Sequence, residues 1–192
     1  MDRSSFDPCA VEMITVIFIV RNAEEPLLRS LAAFAPFAAE GLIGDVVVAD
    51  LGSRDATLAV AEAAGCAIVA KCATNGAALE RAVKLARKDW LLVLEAGDTP
   101  DTGVAKSLRD HIVQNAKAPL TLAFLAHPPG AGRWRRALFG SIFDASGFAP
   151  RHAIRLLVPR RDAKFLASAP GRWRGARTRA RIEGTARPRL RF

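Results

Sequence analysis

The chain has 192 residues, of which 51% are hydrophobic and 24% charged, and its formal net charge is +9. This length and apolar content predict a globular domain with a full hydrophobic core and exclude a disordered chain. The longest apolar runs are too short to cross a bilayer. Three cysteines without a C-x-x-C pair indicate reduced thiols in a cytoplasm.

The charge is distributed unevenly along the chain. Residues 1–127 contain 12 Lys+Arg and 16 Asp+Glu, whereas residues 128–192 contain 16 and 3. From residue 170 onwards the sequence contains eight arginines and a single glutamate. We therefore expect a domain over residues 1–169, followed by a basic Arg-rich tail over residues 170–192 that is poorly ordered on its own.

Strand and helix patterns alternate through the first half of the chain. The predicted strands are Met13–Val20, Val46–Asp50, Ala67–Ala70 and Trp90–Leu94. Helical spacing follows in a segment that contains Leu27 and Phe34, and in Thr57–Ala64 and Ala77–Arg87. This alternation predicts an α/β fold, in which a mostly parallel, Rossmann-like sheet carries helices on both faces.

The pattern becomes less regular after Gly103. We expect helices at Val104–Asn115 and Arg133–Ser146, and strands at Leu120–Ala126 and Ile154–Val158. The second of these helices is amphipathic and basic.

Three loops fall at one edge of the predicted sheet, namely residues 21–25, 50–55 and 95–98. Each loop follows a strand and contributes carboxylates. Ligands, and nucleotides in particular, bind at the carboxyl edge of open α/β sheets. Several carboxylates at that edge suit a diphosphate together with a hard divalent cation. Taken alone, each loop could equally be an ordinary turn with a solvated acid.

The same loops resemble those of family 2 glycosyltransferases, nucleotide-sugar enzymes with a GT-A fold. Val16–Glu24 is similar to the family's first strand and Arg-Asn-Glu turn. Val46–Thr57 resembles its Val-Val-Asp-Asp-Gly-Ser-Thr-Asp-Gly-Thr signature, and Asn75–Asp98 resembles its Gly-rich helix, strand and Asp-x-Asp loop. A weaker likeness continues through Ile154–Arg161.

The resemblance implies roles for individual residues in substrate binding. Glu24 and Asp50 would contact the uracil or ribose of a nucleoside diphosphate sugar, and Arg21 would shape the first turn. Glu95 would approach the ribose and a metal ion. Further substrate contacts are implied for Asn22, Gly52, Ser53 and Arg81.

The metal-binding loop departs from the family pattern. Gly97 stands where the second carboxylate of the Asp-x-Asp motif belongs, and Asp98 follows one place later. We therefore expect Asp98, with Glu95, to be the ligand of Mg²⁺ or Mn²⁺.

The region of the catalytic base departs as well. The family commonly places an acidic base just before the late strand, where this sequence has Pro150-Arg151-His152-Ala153. His152 is one candidate base, since an unperturbed histidine titrates near pH 6.5, and Asp144 is a second. The alternative for His152 is a surface histidine without a catalytic role.

The basic last third predicts a polyanionic partner. An amphipathic basic helix and tryptophan-flanked arginines fit docking on an anionic membrane surface. Arginines would also neutralise nucleic-acid phosphates, but no base-reading motif is visible, which disfavours nucleic acid.

We therefore expect a glycosyltransferase that moves a sugar from a nucleoside diphosphate donor, with UDP-sugar favoured, to a glycan or lipid-linked acceptor of the cell envelope. The expected location is cytoplasmic, peripheral on the inner face of the membrane. The alternative is a catalytically inactive module that keeps the fold and binds nucleotide sugar, or docks a membrane or a partner transferase.

Overall fold

The computed structural model of the protein describes residues 14–101, 103–115, 122–123, 148–149, 155–163, 173–174, 176–177 and 182–183. Its helices are α1 (Glu24–Ala39), α2 (Thr57–Ala63), α3 (Asn75–Leu85) and α4 (Val104–Asn115). Up to residue 115 every predicted strand and helix is present, and the ends differ by no more than three residues.

The longer strands are β1 (Ile14–Val20), β2 (Ile43–Asp50), β3 (Ala67–Val69), β4 (Trp90–Glu95) and β8 (Leu156–Pro159). Strands of two residues lie between and after them: β5 (Thr99–Pro100), β6 (Leu122–Ala123), β7 (Phe148–Ala149), β9 (Trp173–Arg174), β10 (Ala176–Arg177) and β11 (Ile182–Glu183).

The main sheet has the strand order β10-β6-β8-β4-β1-β2-β3. β1 pairs in parallel with both β2 and β4, and β2 pairs in parallel with β3. β8 runs antiparallel to β4. The chain therefore builds outwards from β1 on one side and then crosses to β4 on the other, which makes the β1/β4 boundary a topological switch point. The predicted α/β fold is confirmed.

Short strands from the basic tail also pair with the rest of the molecule. β10 pairs in parallel with β6, and β11 pairs antiparallel with β5. The division of the chain at residue 169 stays a prediction, and the helix expected at Arg133–Ser146 lies outside the described residues.

The hydrophobic core lies on both faces of β1, whose seven residues are all buried. On one face Val16 and Phe18 pack in a cluster with Leu27 and Phe34 of α1 and with the buried side of α4. On the other face Ile17 and Ile19 belong to a cluster that includes α3 and β8. A continuous apolar strand satisfies both layers, because successive side chains point to opposite faces.

Helix α4 carries a buried histidine into the first of these clusters. The His111 ring meets Trp90 edge-on, with 6.3 Å between the ring centroids. Burial lowers the pKa of His111 from its ordinary value of 6.5 to about 4. Within the part of the chain that is described, no helix has the length and apolar character needed to span a membrane.

The buried imidazole predicts a loss of stability in mild acid. Between pH 6.5 and about pH 4, the unfolded chain binds a proton at His111 and the folded chain does not. The free energy of unfolding therefore falls as the pH falls through this window. The loss should reach at most about 3 kcal/mol. Guanidinium chloride unfolding of wild type and His111→Phe at several pH values measures it, since the variant lacks this titration. An equally steep loss in the variant would contradict the assignment.

Candidate functional site

The register of the central strands brings three loops to one edge of the sheet. Val20, the last residue of β1, lies beside Asp50 at the end of β2, and Ile19 lies beside Glu95 at the end of β4. The loops that follow these strands are therefore neighbours. This confirms the prediction of a shared carboxyl edge, and it places the loops at the switch point where α/β proteins bind ligands.

Asp50 organises the loop after β2. Its carboxylate accepts hydrogen bonds from the backbone N–H groups of Gly52 and Ser53 at 3.0 Å, and from the Ser53 hydroxyl at 2.5 Å. The side chain is buried. Gly52 has a φ of +89°, a backbone conformation that glycine adopts without a steric penalty. The Asp50 carboxylate thus holds a tight turn, and Gly52 adopts the positive φ that this turn contains.

Asn22 and Ser53 join the first and second loops. The Asn22 backbone N–H donates to the Ser53 hydroxyl oxygen at 2.9 Å, and the Asn22 side-chain oxygen accepts from the Arg54 N–H at 2.8 Å. Asn22 itself has a φ of +48°, which asparagine tolerates better than most residues. The predicted substrate residues Asn22, Asp50 and Ser53 are therefore brought together, in contact with one another.

The first turns of α1 and α2 cap each other. The Ala23 N–H donates to the Thr57 hydroxyl oxygen at 2.8 Å, and the Glu24 N–H donates to the Asp55 carboxylate at 3.3 Å. In return the Ala56 N–H donates to the Glu24 carboxylate at 3.4 Å. The Thr57 hydroxyl also donates to Asp55, a bond that lowers the pKa of the Asp55 carboxyl. Each helix start thus satisfies orphan N–H groups of the other.

Arg81 reaches the same edge from α3. Its guanidinium donates to the Ala70 carbonyl oxygen at 3.1 Å, just past the end of β3, and lies 3.6 Å from the Cys72 sulfur. Cys72 is tied to the second loop, because its N–H donates to the Asp50 carbonyl oxygen at 2.9 Å. Arg81 thus places an exposed positive charge at the sheet edge.

The third loop, residues 95–98, is closed by its own hydrogen bonds. The Gly97 N–H donates to the hydroxyl of the buried Ser30 in α1 at 2.8 Å. The Glu95 N–H donates to the Asp98 carboxylate at 3.0 Å, and the Asp98 N–H donates to the Glu95 carbonyl oxygen at 3.2 Å. These contacts fix the backbone of the loop and the Asp98 carboxylate.

Arg155, the residue before β8, meets both of these carboxylates. Its Nε donates to Asp98 Oδ2 at 2.8 Å, and its NH2 group donates to Asp98 Oδ1 at 2.5 Å. The same NH2 group lies 3.6 Å from Glu95 Oε2. Burial raises the pKa of the Asp98 carboxyl, and the hydrogen bonds and positive charge of Arg155 oppose that rise.

As they lie in the structure, Asp98 and Glu95 do not fit the role of metal ligands that the sequence predicts. Asp98 is 0% exposed, and both its oxygens already accept hydrogen bonds from Arg155. No group of three or more His, Cys, Asp or Glu side chains is arranged to hold a metal ion among the residues described. We therefore assign no reaction step to a metal ion.

Sequence reasoning missed two residues that shape this site. The sequence places Arg155 in a predicted strand and Ser30 in a predicted helix, without indicating what either contacts. A charged residue at the start of an otherwise apolar strand is the signal that could have identified Arg155. The two candidate bases, His152 and Asp144, lie outside the described residues, so their role stays a prediction.

Comparison with known families gives a match over most of the chain. The model of the family described as "Glycosyl transferase family 2" matches residues 15–172. A curated relative, a TPR repeat-containing protein of Synechococcus elongatus, is 32% identical over 117 residues, which make up 60% of this chain and 27% of that protein.

Solved structures with the same fold include two sugar–phosphoglycerate synthases. Mannosyl-3-phosphoglycerate synthase from Rubrobacter xylanophilus has a TM-score of 0.59 and 18% identity, and the match covers 78% of this chain and 54% of that one. Glucosyl-3-phosphoglycerate synthase from Mycobacterium tuberculosis, in complex with Mn²⁺, UDP and glucosyl-3-phosphoglycerate, has a TM-score of 0.58 and 16% identity, with 78% and 57% covered.

The chain thus spans little more than half the length of these structures and about a quarter of the curated relative. The structural likeness establishes the fold.

Removing the Asp50 carboxylate should destabilise the sheet edge. Asp50→Ala leaves the N–H groups of Gly52 and Ser53 and the Ser53 hydroxyl without their acceptor. We expect the free energy of unfolding to fall by about 2–3 kcal/mol. Chemical unfolding of this variant beside Asp110→Ala, an exposed change on α4 expected to cost less than about 0.5 kcal/mol, checks it. Equal stability of the two variants would contradict the role.

Proposed function

The chain belongs to glycosyl transferase family 2, and we propose that it transfers a sugar from a nucleoside diphosphate donor to an acceptor hydroxyl. The observation that carries this proposal is the family match over residues 15–172. It supports a donor site formed by the predicted substrate residues at the carboxyl edge of the sheet. Those residues are Arg21, Asn22, Glu24, Asp50, Gly52, Ser53, Arg81 and Glu95.

The proposed donor site is a rigid edge with positive charges around it. Arg21 and Arg54 are exposed on the two loops joined by Asn22 and Ser53. Arg81 is exposed on α3 and reaches the end of β3. Guanidinium groups suit the oxygens of a diphosphate, because they are always charged and offer several donors. This arrangement supports a nucleoside diphosphate sugar as the donor, and UDP-sugar is the donor to test first because a solved neighbour was crystallised with UDP.

The proposed reaction is a displacement at the anomeric carbon. The acceptor hydroxyl oxygen forms the new bond to that carbon while the bond from the carbon to the diphosphate oxygen breaks, and the nucleoside diphosphate leaves with the electron pair. The hydroxyl proton passes to a base. His152 and Asp144 are the proposed candidates for this base.

Divalent-ion use is supported for the fold more than for these side chains. Solved neighbours include complexes with Mn²⁺ and UDP, and with Mg²⁺ and UDP. Mg²⁺ or Mn²⁺ is therefore the predicted cofactor to test here. The Asp98 and Glu95 carboxylates, however, meet Arg155, so the test has to separate nucleotide binding from ion binding.

The proposed acceptor is a glycan or a lipid-linked saccharide, handled in the cytoplasm at the inner face of the membrane. The basic last third supports this location through its charge of 16 Lys+Arg against 3 Asp+Glu. The solved neighbours are named for 3-phosphoglycerate, which makes that compound the second acceptor class to test.

A rival proposal keeps the fold and the donor site but not catalysis. It is favoured by the departures at Gly97 and in the segment around His152. In that case the chain is a nucleotide-sugar-binding module that docks a membrane or a partner transferase.

Calorimetric titration of UDP, and then of GDP, into the full chain is the first test. Saturable UDP binding followed by release of UDP from a UDP-sugar in the presence of an acceptor supports the transferase. Binding without turnover for any acceptor class supports the module. Absence of binding by both nucleotides would contradict both proposals.

Arg81 offers a sharper test of the donor site. Arg81→Met removes a positive charge from the sheet edge and should weaken UDP binding roughly tenfold, about 1.4 kcal/mol. Lys84→Met is the matched control, since it removes the same charge from α3 at an exposed position paired with Glu80 at 2.8 Å. Isothermal titration of UDP into both variants measures the difference. Equal affinities would remove Arg81 from the proposed site.

A further inference from the structure

The geometry points to Arg155 as a built-in cation of the donor site: its guanidinium holds Glu95 and Asp98 where a divalent ion would otherwise bridge them. The loop at residues 95–98 therefore takes no divalent ion, and a nucleotide donor binds without one at this position. This inference rests on the proposed donor site, but its first test requires no nucleotide.

The position of the guanidinium carries the argument. The NH2 group of Arg155 lies between one oxygen of each carboxylate, 2.5 Å from Asp98 Oδ1 and 3.6 Å from Glu95 Oε2. An ion that bridged these oxygens would sit about 2 Å from each of them. The two positions overlap, so the ion and the arginine cannot share the site.

Burial strengthens the exclusion. Asp98 is 0% exposed, Glu95 is 5% exposed and Arg155 is 7% exposed. An ion entering beside the arginine would bring two like charges together with little water to screen them. A bidentate guanidinium–carboxylate pair is also a strong and directional ion pair, so it resists displacement.

The surrounding loop leaves the Asp98 carboxylate little freedom to turn towards an incoming ion. Asp98 Oδ2 accepts a second hydrogen bond, from the Glu95 N–H, and Gly97 is anchored to the buried Ser30. Arg155 itself is fixed by the antiparallel pairing of Leu156 with Val93. Arg155, held at the start of β8, thus supplies the positive charge that a metal ion would otherwise bring from solution.

Titration of Mn²⁺ alone into the full chain tests this directly. The electron paramagnetic resonance signal of Mn²⁺ measures how much of the ion stays free. We expect wild type to show no saturable site tighter than about 1 mM. A site that persists unchanged in Asp98→Asn and Glu95→Gln lies elsewhere and also agrees with the proposal. A tighter site that disappears in Asp98→Asn would overturn it.

Substitution of Arg155 separates this role from simple packing. Arg155→Gln should open the loop to the ion and tighten Mn²⁺ binding at least roughly tenfold over wild type, because the guanidinium no longer occupies the space beside the two buried carboxylates. Arg155→Lys keeps a positive charge but not the bidentate geometry, and should bind Mn²⁺ less tightly than Arg155→Gln does. Arg160→Gln, an exposed change beyond the other end of β8, is the control and should match wild type.

Circular dichroism checks that each variant is folded, and if Arg155→Gln is not, the wild-type titration still decides. An Arg155→Gln variant that is folded and gains no Mn²⁺ binding would overturn the proposal.

The nucleotide enters in a second arm. UDP should bind wild type with affinities that differ by less than about threefold between buffer with EDTA and buffer with Mn²⁺. UDP binding that requires Mn²⁺ and is lost in Asp98→Asn would overturn the inference while leaving the proposed donor site intact. Absence of UDP binding in both buffers would instead contradict the proposed function, and the Mn²⁺ titration would stand by itself.

Discussion

The parallel pairing of β1 with β2 on one side and β4 on the other is the constraint on which the rest of the structure depends. It sets Val20 beside Asp50 and Ile19 beside Glu95, so that the ends of three strands form one edge. The pairing is stable because β1 is buried on both faces under two separate apolar clusters. A shift of one residue would exchange those faces, and the loops at the edge would no longer meet.

Polar side chains at this edge serve first to shape the protein. Asp50, Ser53 and Asn22 form hydrogen bonds within and between the loops. A ligand therefore meets a surface that is already ordered, with exposed arginines around it, and loses less binding free energy to ordering of the protein.

The fold and the shared carboxyl edge of the sheet could be predicted from the sequence, because both follow from local signals. Continuous apolar strands, helical spacing and the residue types after each strand placed Asp50 and Glu95 correctly at the carboxyl edge. The contacts of Arg155 could not be predicted, because its partners are 57 and 60 positions away in the sequence. That contact depends on β8 running antiparallel to β4, a direction that no local pattern encodes. The predicted role of Asp98 does not fit for the same reason, because burial and a distant guanidinium decide what its carboxylate contacts.

The mutual capping of α1 and α2 has a consequence for motion. Ala23 depends on Thr57 for its hydrogen bond, and Ala56 depends on Glu24. Neither helix can fray at its first turn without uncovering N–H groups of the other, so the two starts open as a single cooperative unit. Their amide hydrogens then report the same free energy of opening in hydrogen exchange. Any molecule that clamps one of the two loops slows the exchange of both.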